Sequence, residues 1–148
     1  MNFTSKEEYG LRAVMHLAMH EASWPIQSRE IAGAEGIPEQ FLEQVLAALR
    51  RSSIVRSIRG ASGGYELARN ARSITAGDVL RALSGPIAPI PCDDDTSEKC
   101  DNVDRSVVMD LWQKVQSAIV QVLDGTTIQD MVDEKLSREQ QSSFMMNI

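Results

Sequence analysis

The chain has 148 residues, of which 43% are hydrophobic and 5% aromatic, enough apolar material for one compact domain with an extension. Its two cysteines exclude a disulfide scaffold, and no apolar run approaches the length of a membrane span. With no basic-then-apolar leader behind Met1, the expected setting is cytoplasmic. The formal net charge of -6 argues against indiscriminate polyanion binding, but the charge is unevenly spread: residues 26–72 carry seven arginines against five glutamates, and residues 92–148 five basic side chains against twelve acidic ones.

The first helix is expected from Lys6 to about Glu21, with Ser5 and Glu8 spaced as a capping box and Leu11, Val14, Leu17 and Ala18 as its buried stripe. Glu8, Arg12, His16 and His20 recur every four residues and stack along another ridge of the same helix. Trp24-Pro25 ends this segment and leads straight on without a linker.

From Ile26 to Leu67 the chain reads as helix, tight turn, helix and hairpin. A helix is predicted from Ser28, as cap, to Glu35, with Gly36 as breaker. A second helix opens at Pro38, whose fixed φ and missing amide suit a helix start, and Phe41, Leu42, Val45, Leu46 and Leu49 form its core face. Its other face carries Glu39, Gln40, Glu43, Ala47 and Arg50. A β-prone run from Ile54 to Ile58, then Arg59-Gly60-Ala61-Ser62-Gly63-Gly64, then Tyr65 to Leu67, predicts a hairpin with a glycine-rich tip. Helix-turn-helix plus hairpin is the pattern of a winged helix. Its second helix enters a DNA major groove in such modules.

Thr75 with Asp78 resembles a capping box at the start of a helix bearing Val79, Leu80 and Leu83, which Gly85-Pro86 stops. Pro86, Pro89 and Pro91 then hold the chain extended into a polar loop from Cys92 to Cys100 that includes Asp93 to Asp95. A long helix is expected from Val103 to Leu123, with Val108, Leu111, Val115, Ala118 and Val122 in alternating steps of three and four. Val107, Trp112 and Ile119 widen that stripe, as expected of a helix packing on its own domain and on a second copy. Thr126 or Thr127 caps a short helix from Ile128 to Leu136. The fold class is therefore mainly α with a small β-hairpin wing, a winged helix-turn-helix plus a long dimerisation helix. Residues 1–85 form the DNA-binding domain, 86–102 a cysteine-containing sensor loop, 103–136 the dimerisation helix and a short helix, and 137–148 a flexible tail.

The chain resembles the Rrf-type winged-helix regulators, the IscR-, NsrR- and CymR-like proteins, over most of its length. The resemblance rests on Thr4-Ser5-Lys6 with Tyr9, Ile31-Ala32, Phe41 to Leu46 with Leu49-Arg50, Val55 to Gly60 with Gly63 to Leu67, Ile74-Thr75 with Asp78-Val79, and Leu111-Trp112. It implies a homodimeric transcription regulator bound to double-stranded, partly palindromic operator DNA, with no membrane and no small-molecule substrate. Ser28, Pro38, Glu39, Gln40, Glu43, Arg50, Arg56, Arg59 and Gly60 are then the candidate DNA-contacting residues. Glutamine can bond adenine in two places, glutamate accepts from cytosine, and Arg59 suits a narrow minor groove. The plain alternative for each is a solvated surface side chain.

Iron-sulfur members of the family carry three cysteines in the loop before the long helix. Cys92 and Cys100 match the first two, Ser106 stands at the third, and Met109 falls where some members supply a histidine. The resemblance thus implies a [2Fe–2S] cluster on Cys92, Cys100 and Glu8 of the partner subunit. The fourth ligand stays open between His16, Asp101, Asp104, Ser106, Asp93 to Asp95 and an external ligand; Arg12 is always protonated and cannot ligate. A metal-free thiol- or partner-controlled repressor of the same fold and an interaction adaptor without DNA binding are the rival readings. No nucleophile-base set, phosphate loop or dinucleotide fingerprint is found, so no enzyme is expected.

Overall fold

The computed structural model describes residues 3–87 and 103–147, with only the backbone of Val103 and Asp104. Cys92, Cys100, Asp93 to Asp95 and Asp101 lie outside the described residues. Among the described residues, six α-helices and one two-stranded antiparallel sheet follow in the order α1 Ser5–Met19, α2 Ser28–Glu35, α3 Glu39–Arg51, β1 Val55–Ile58, β2 Gly64–Leu67, α4 Ala76–Ser84, α5 Val103–Gly125 and α6 Ile128–Met146.

One core joins α1, α2, α3, α4, the hairpin and the start of α6. Val14 and Leu17 of α1, Ile31 of α2, Leu42, Val45, Leu46 and Leu49 of α3, Ile74, Val79 of α4 and Ile128 of α6 are fully enclosed. Each such aliphatic side chain contributes about 1.5–3 kcal/mol relative to remaining in water. Gly10 lets α1 approach α4: a Cβ there would lie 2.2 Å from Leu83 Cδ1.

The capping box of α1 falls one residue earlier than expected. Thr4 is the cap and its amide donates to Glu7 Oε2 at 2.8 Å, while the Ser84 hydroxyl, at the end of α4, donates to Oε1 of the same carboxylate. Glu7 is buried, and burial alone would raise its pKa. Hydrogen bonds from Ser84 and Thr4 outweigh that effect and lower it from 4.5 to about 2. Because the folded-state value lies below the unfolded one, this stability is present above pH 4.5 and is lost as the pH falls toward 2. Glu7→Gln is therefore expected to cost about 2–3 kcal/mol at neutral pH and to flatten the acid limb of stability, read by urea melts at pH 7 and pH 3.

Ser28 is the first residue of α2 rather than its cap. Gln27 takes that position without a side-chain cap bond, and Gly36 closes the helix in the left-handed region at φ 65°. Thr75 with Asp78 and Thr127 with Asp130 form the capping boxes of α4 and α6.

The last helix is longer than expected: α6 runs past Leu136 to Met146. Its second half buries nothing, and Arg138 pairs with Glu134 at 2.7 Å on the exposed surface. No helix among the described residues is long and apolar enough to cross a membrane.

Candidate nucleic-acid interface

Burial of Leu42, Val45, Leu46, Ala48 and Leu49 leaves the opposite side of α3 open, with Gln40, Glu43 and Gln44 all exposed and Ala47 half-buried. Gln44, one turn beyond Gln40, and Arg51, one turn beyond Ala47, are exposed as well, as their helical spacing dictates. Pro38 is the N-cap and Glu39 the first helical residue, both exposed.

The hairpin pairs Val55 with Leu67, Arg56 with Glu66, Ser57 with Tyr65 and Ile58 with Gly64. It is stitched to the chain ahead of α2 by Ile26 N–H to Tyr65 O at 2.9 Å and Tyr65 N–H to Ile26 O at 2.7 Å. The tip turns at Gly60, with φ 115°, and projects an exposed Arg59. Between hairpin and helices lies an open cleft of about 450 Å³, lined by Gln27, Ser28, Arg29 and Glu39 on one side and Ser57, Ile58, Gly60, Gly63, Gly64 and Tyr65 on the other. Five candidate DNA-contacting residues, Ser28, Pro38, Glu39, Arg59 and Gly60, thus lie in or beside this cleft. Arg50 donates from Nη1 to Ser57 Oγ at 3.3 Å and ties the end of α3 to the wing. Arg56 is paired with Glu66 across the strands, although its side chain is 61% exposed.

The ridge of α1 divides in two. Glu8 is 66% exposed and meets only Arg12 at 3.6 Å among the described ion pairs. His16, by contrast, is buried, with Nδ1 3.0 Å from Glu35 Oε1 and its ring stacked on His20 at 4.2 Å. Arg12 also bonds the Glu35 carbonyl, so the end of α2 is held against α1. Among the described residues no group of three or more His, Cys, Asp or Glu side chains converges as a metal site.

On α5 no described side chain is buried: Val107, Val108, Leu111 and Val122 are 48–66% exposed, and Trp112 and Val115 about 40%. The apolar side chains of α5 thus stand at the surface of the single chain.

Comparison with known proteins bears on this geometry. Residues 3–134 match the Rrf2 model, described as an iron-dependent transcriptional regulator. The HTH-type transcriptional regulator CymR of Bacillus subtilis is 36% identical over 131 residues, covering 88% of this chain and 89% of CymR. The HTH-type transcriptional regulator IscR of Pectobacterium atrosepticum is 32% identical over 135 residues, covering 91% of this chain and 81% of IscR. The solved structure of CymR, the global cysteine regulator of B. subtilis, superposes with a TM-score of 0.73 at 35% identity, covering 90% of this chain and 98% of that one. These relatives are transcriptional regulators, not enzymes. With its winged helix and the match over nearly its whole length, the chain belongs to the Rrf2 family of transcriptional regulators.

Proposed function

We propose that this protein is a cytoplasmic homodimer that binds operator DNA and whose binding is controlled through the Cys92 to Cys100 segment. The observation that carries the DNA part is the cleft between Ser28, Glu39 and Gly60: it joins the helix-turn-helix to the wing and leaves the polar face of α3 open beside Arg59. In this reading Gln40 and Glu43 read base edges in the major groove, Pro38 and Glu39 set the entry of α3, and Arg59 at Gly60 enters the adjacent minor groove. Ser28 meets backbone phosphate at the start of α2, and Arg50 and Arg56 add positive charge. The uncovered apolar face of α5 supports a second copy as its partner.

For the control element we infer a [2Fe–2S] cluster held by Cys92, Cys100 and Glu8 of the partner subunit. Two features support it. Thiolates suit iron, and a second iron accepts an oxygen donor. Glu8 stands on the open ridge of α1, free of the core. His16 is the weaker fourth-ligand candidate because it is buried, with its ring stacked on His20, so an oxygen donor or an external ligand is favoured. When bound, the group supplies a centre sensitive to oxidation and nitric oxide. The protein's own part is mechanical: Gln116 on α5 donates to the Ile87 carbonyl at 2.6 Å, so a change in the segment after Ile87 reaches the dimer helix directly.

Protein purified without oxygen is expected to be coloured and to contain iron, whereas Cys92→Ala combined with Glu8→Ala is expected to be colourless. Retained visible absorption in the double variant contradicts the ligand assignment. A second reading, favoured by the similarity to CymR, is metal-free thiol control by Cys92 and Cys100. It predicts a colourless, iron-free wild type whose operator affinity changes with thiol oxidation.

A further inference from the structure

Among the described residues α5 packs chiefly on α4, and one small joint makes that contact directional. Arg81 of α4 grips Asp124, in the last turn of α5, through two parallel bonds of 2.8 and 2.7 Å. Arg81 also faces Asp78 at 3.9 Å, and Asp78 in turn faces Arg69, just past β2, at 3.7 Å. Alternating charge thus runs from the base of the wing to the end of α5. The Asp124 carboxylate sits directly over Gly77, where a Cβ would lie 2.1 Å from Oδ1 and 3.0 Å from Arg81 Nη1. Only glycine leaves room for that seat. Alongside it, Ala76 N–H donates to Thr126 O at 2.9 Å and Ile128 N–H to Ile74 O at 2.8 Å, so the turn after α5 is pinned to the start of α4.

We propose that Gly77, Arg81 and Asp124 are positioning residues. They fix the angle between α5 and the winged helix, and thereby select the operator half-site spacing that a dimer accepts. The inference rests on the dimeric, operator-binding reading above. Surface ion pairs of this exposure add little to stability, so the value of the joint is geometric. From Asp124 back to Leu111 is a lever of about 20 Å at the helical rise of 1.5 Å per residue. A tilt of about 10° at the joint moves the middle of the dimer seam by roughly 3.5 Å, close to one base-pair step. Since the reading helix packs on α4, that displacement would appear as a change in the distance between the two copies of α3.

The test uses the full-length protein and a pool of DNA duplexes in which inverted half-sites, first selected with the wild type from random sequence, are separated by spacers differing by single base pairs. Wild type is expected to prefer one spacing by about tenfold or more, the scale on which DNA deformation is felt. Gly77→Ala and Asp124→Ala are each expected to shift that optimum or to reduce the preference to about twofold, and the double variant to go no further, because both break the same contact. Ala is the better helix former and Asp124 is exposed, so melting and sedimentation should report a folded dimer in every case. Folded dimeric variants with the wild-type spacing profile overturn the inference. A wild type that selects only single, unpaired half-sites overturns the dimeric reading and the inference with it.

Discussion

Replacing both Leu111 and Val115 by glutamate is expected to give a folded monomer with DNA affinity reduced by about two to four orders of magnitude, since a linked second half-site contributes avidity of that size. The substitution should leave the fold intact. Leu111 is 55% and Val115 41% exposed, and the core is built from the other helices. In a symmetric dimer each position recurs on both chains, so the change places four carboxylates on one apolar seam and disfavours association strongly. Sedimentation separates monomer from dimer, and a titration with fluorescent duplex gives the affinity. Unchanged association would move the dimer contact off α5.

Gly64→Ala is expected to destabilise the winged helix by about 3 kcal/mol or more, the combined effect of backbone strain and a backbone collision. Gly64 has φ 153°, and a Cβ on it would lie 2.5 Å from the carbonyl carbon and oxygen of Ile26. Neither atom belongs to a flexible side chain. Relief requires separating the hairpin from Ile26, which breaks the two backbone hydrogen bonds that seat the wing. The melting temperature and the DNA affinity should therefore fall together. Gly33→Ala on α2 serves as the control: nothing lies within 4 Å of the added Cβ, and a gain of up to about 1 kcal/mol in helix propensity is expected.

Much of this architecture was legible in the residues. Gly36 and Pro38 punctuate the turn between α2 and α3, and the apolar period of α3 has one phase only, so its boundaries differ by no more than a residue from those observed. Paired signals were harder. Thr4 with Glu7 and Ser5 with Glu8 have the same three-residue spacing, and only the tertiary bond from Ser84 selects the first pair. That selection leaves Glu8 at the surface, where its proposed ligand role needs it.

The extent of α6 was hidden for another reason. From Ser137 to Ser143 the helix buries nothing, so no apolar period exists to be read, and its signals are good helix formers and exposed pairs such as Arg138 with Glu134. Contacts between distant segments were equally invisible. His16 is committed to Glu35 nineteen residues away and Arg56 to Glu66 across the hairpin, and spacing along the chain says nothing of either partner. The seat of Asp124 over Gly77 joins residues that no local pattern relates.

The central claim is that α3 and the wing of two copies engage one duplex together. Footprinting of the wild-type protein on its selected operator with dimethyl sulfate, which methylates guanine N7 in the major groove and adenine N3 in the minor groove, tests this most directly. Two protected major-groove segments about one helical turn or a whole multiple of it apart, each flanked by a protected minor groove, are predicted. A uniform pattern without sequence-specific protection would contradict the account and favour an interaction adaptor that has kept the winged helix but not its use on DNA.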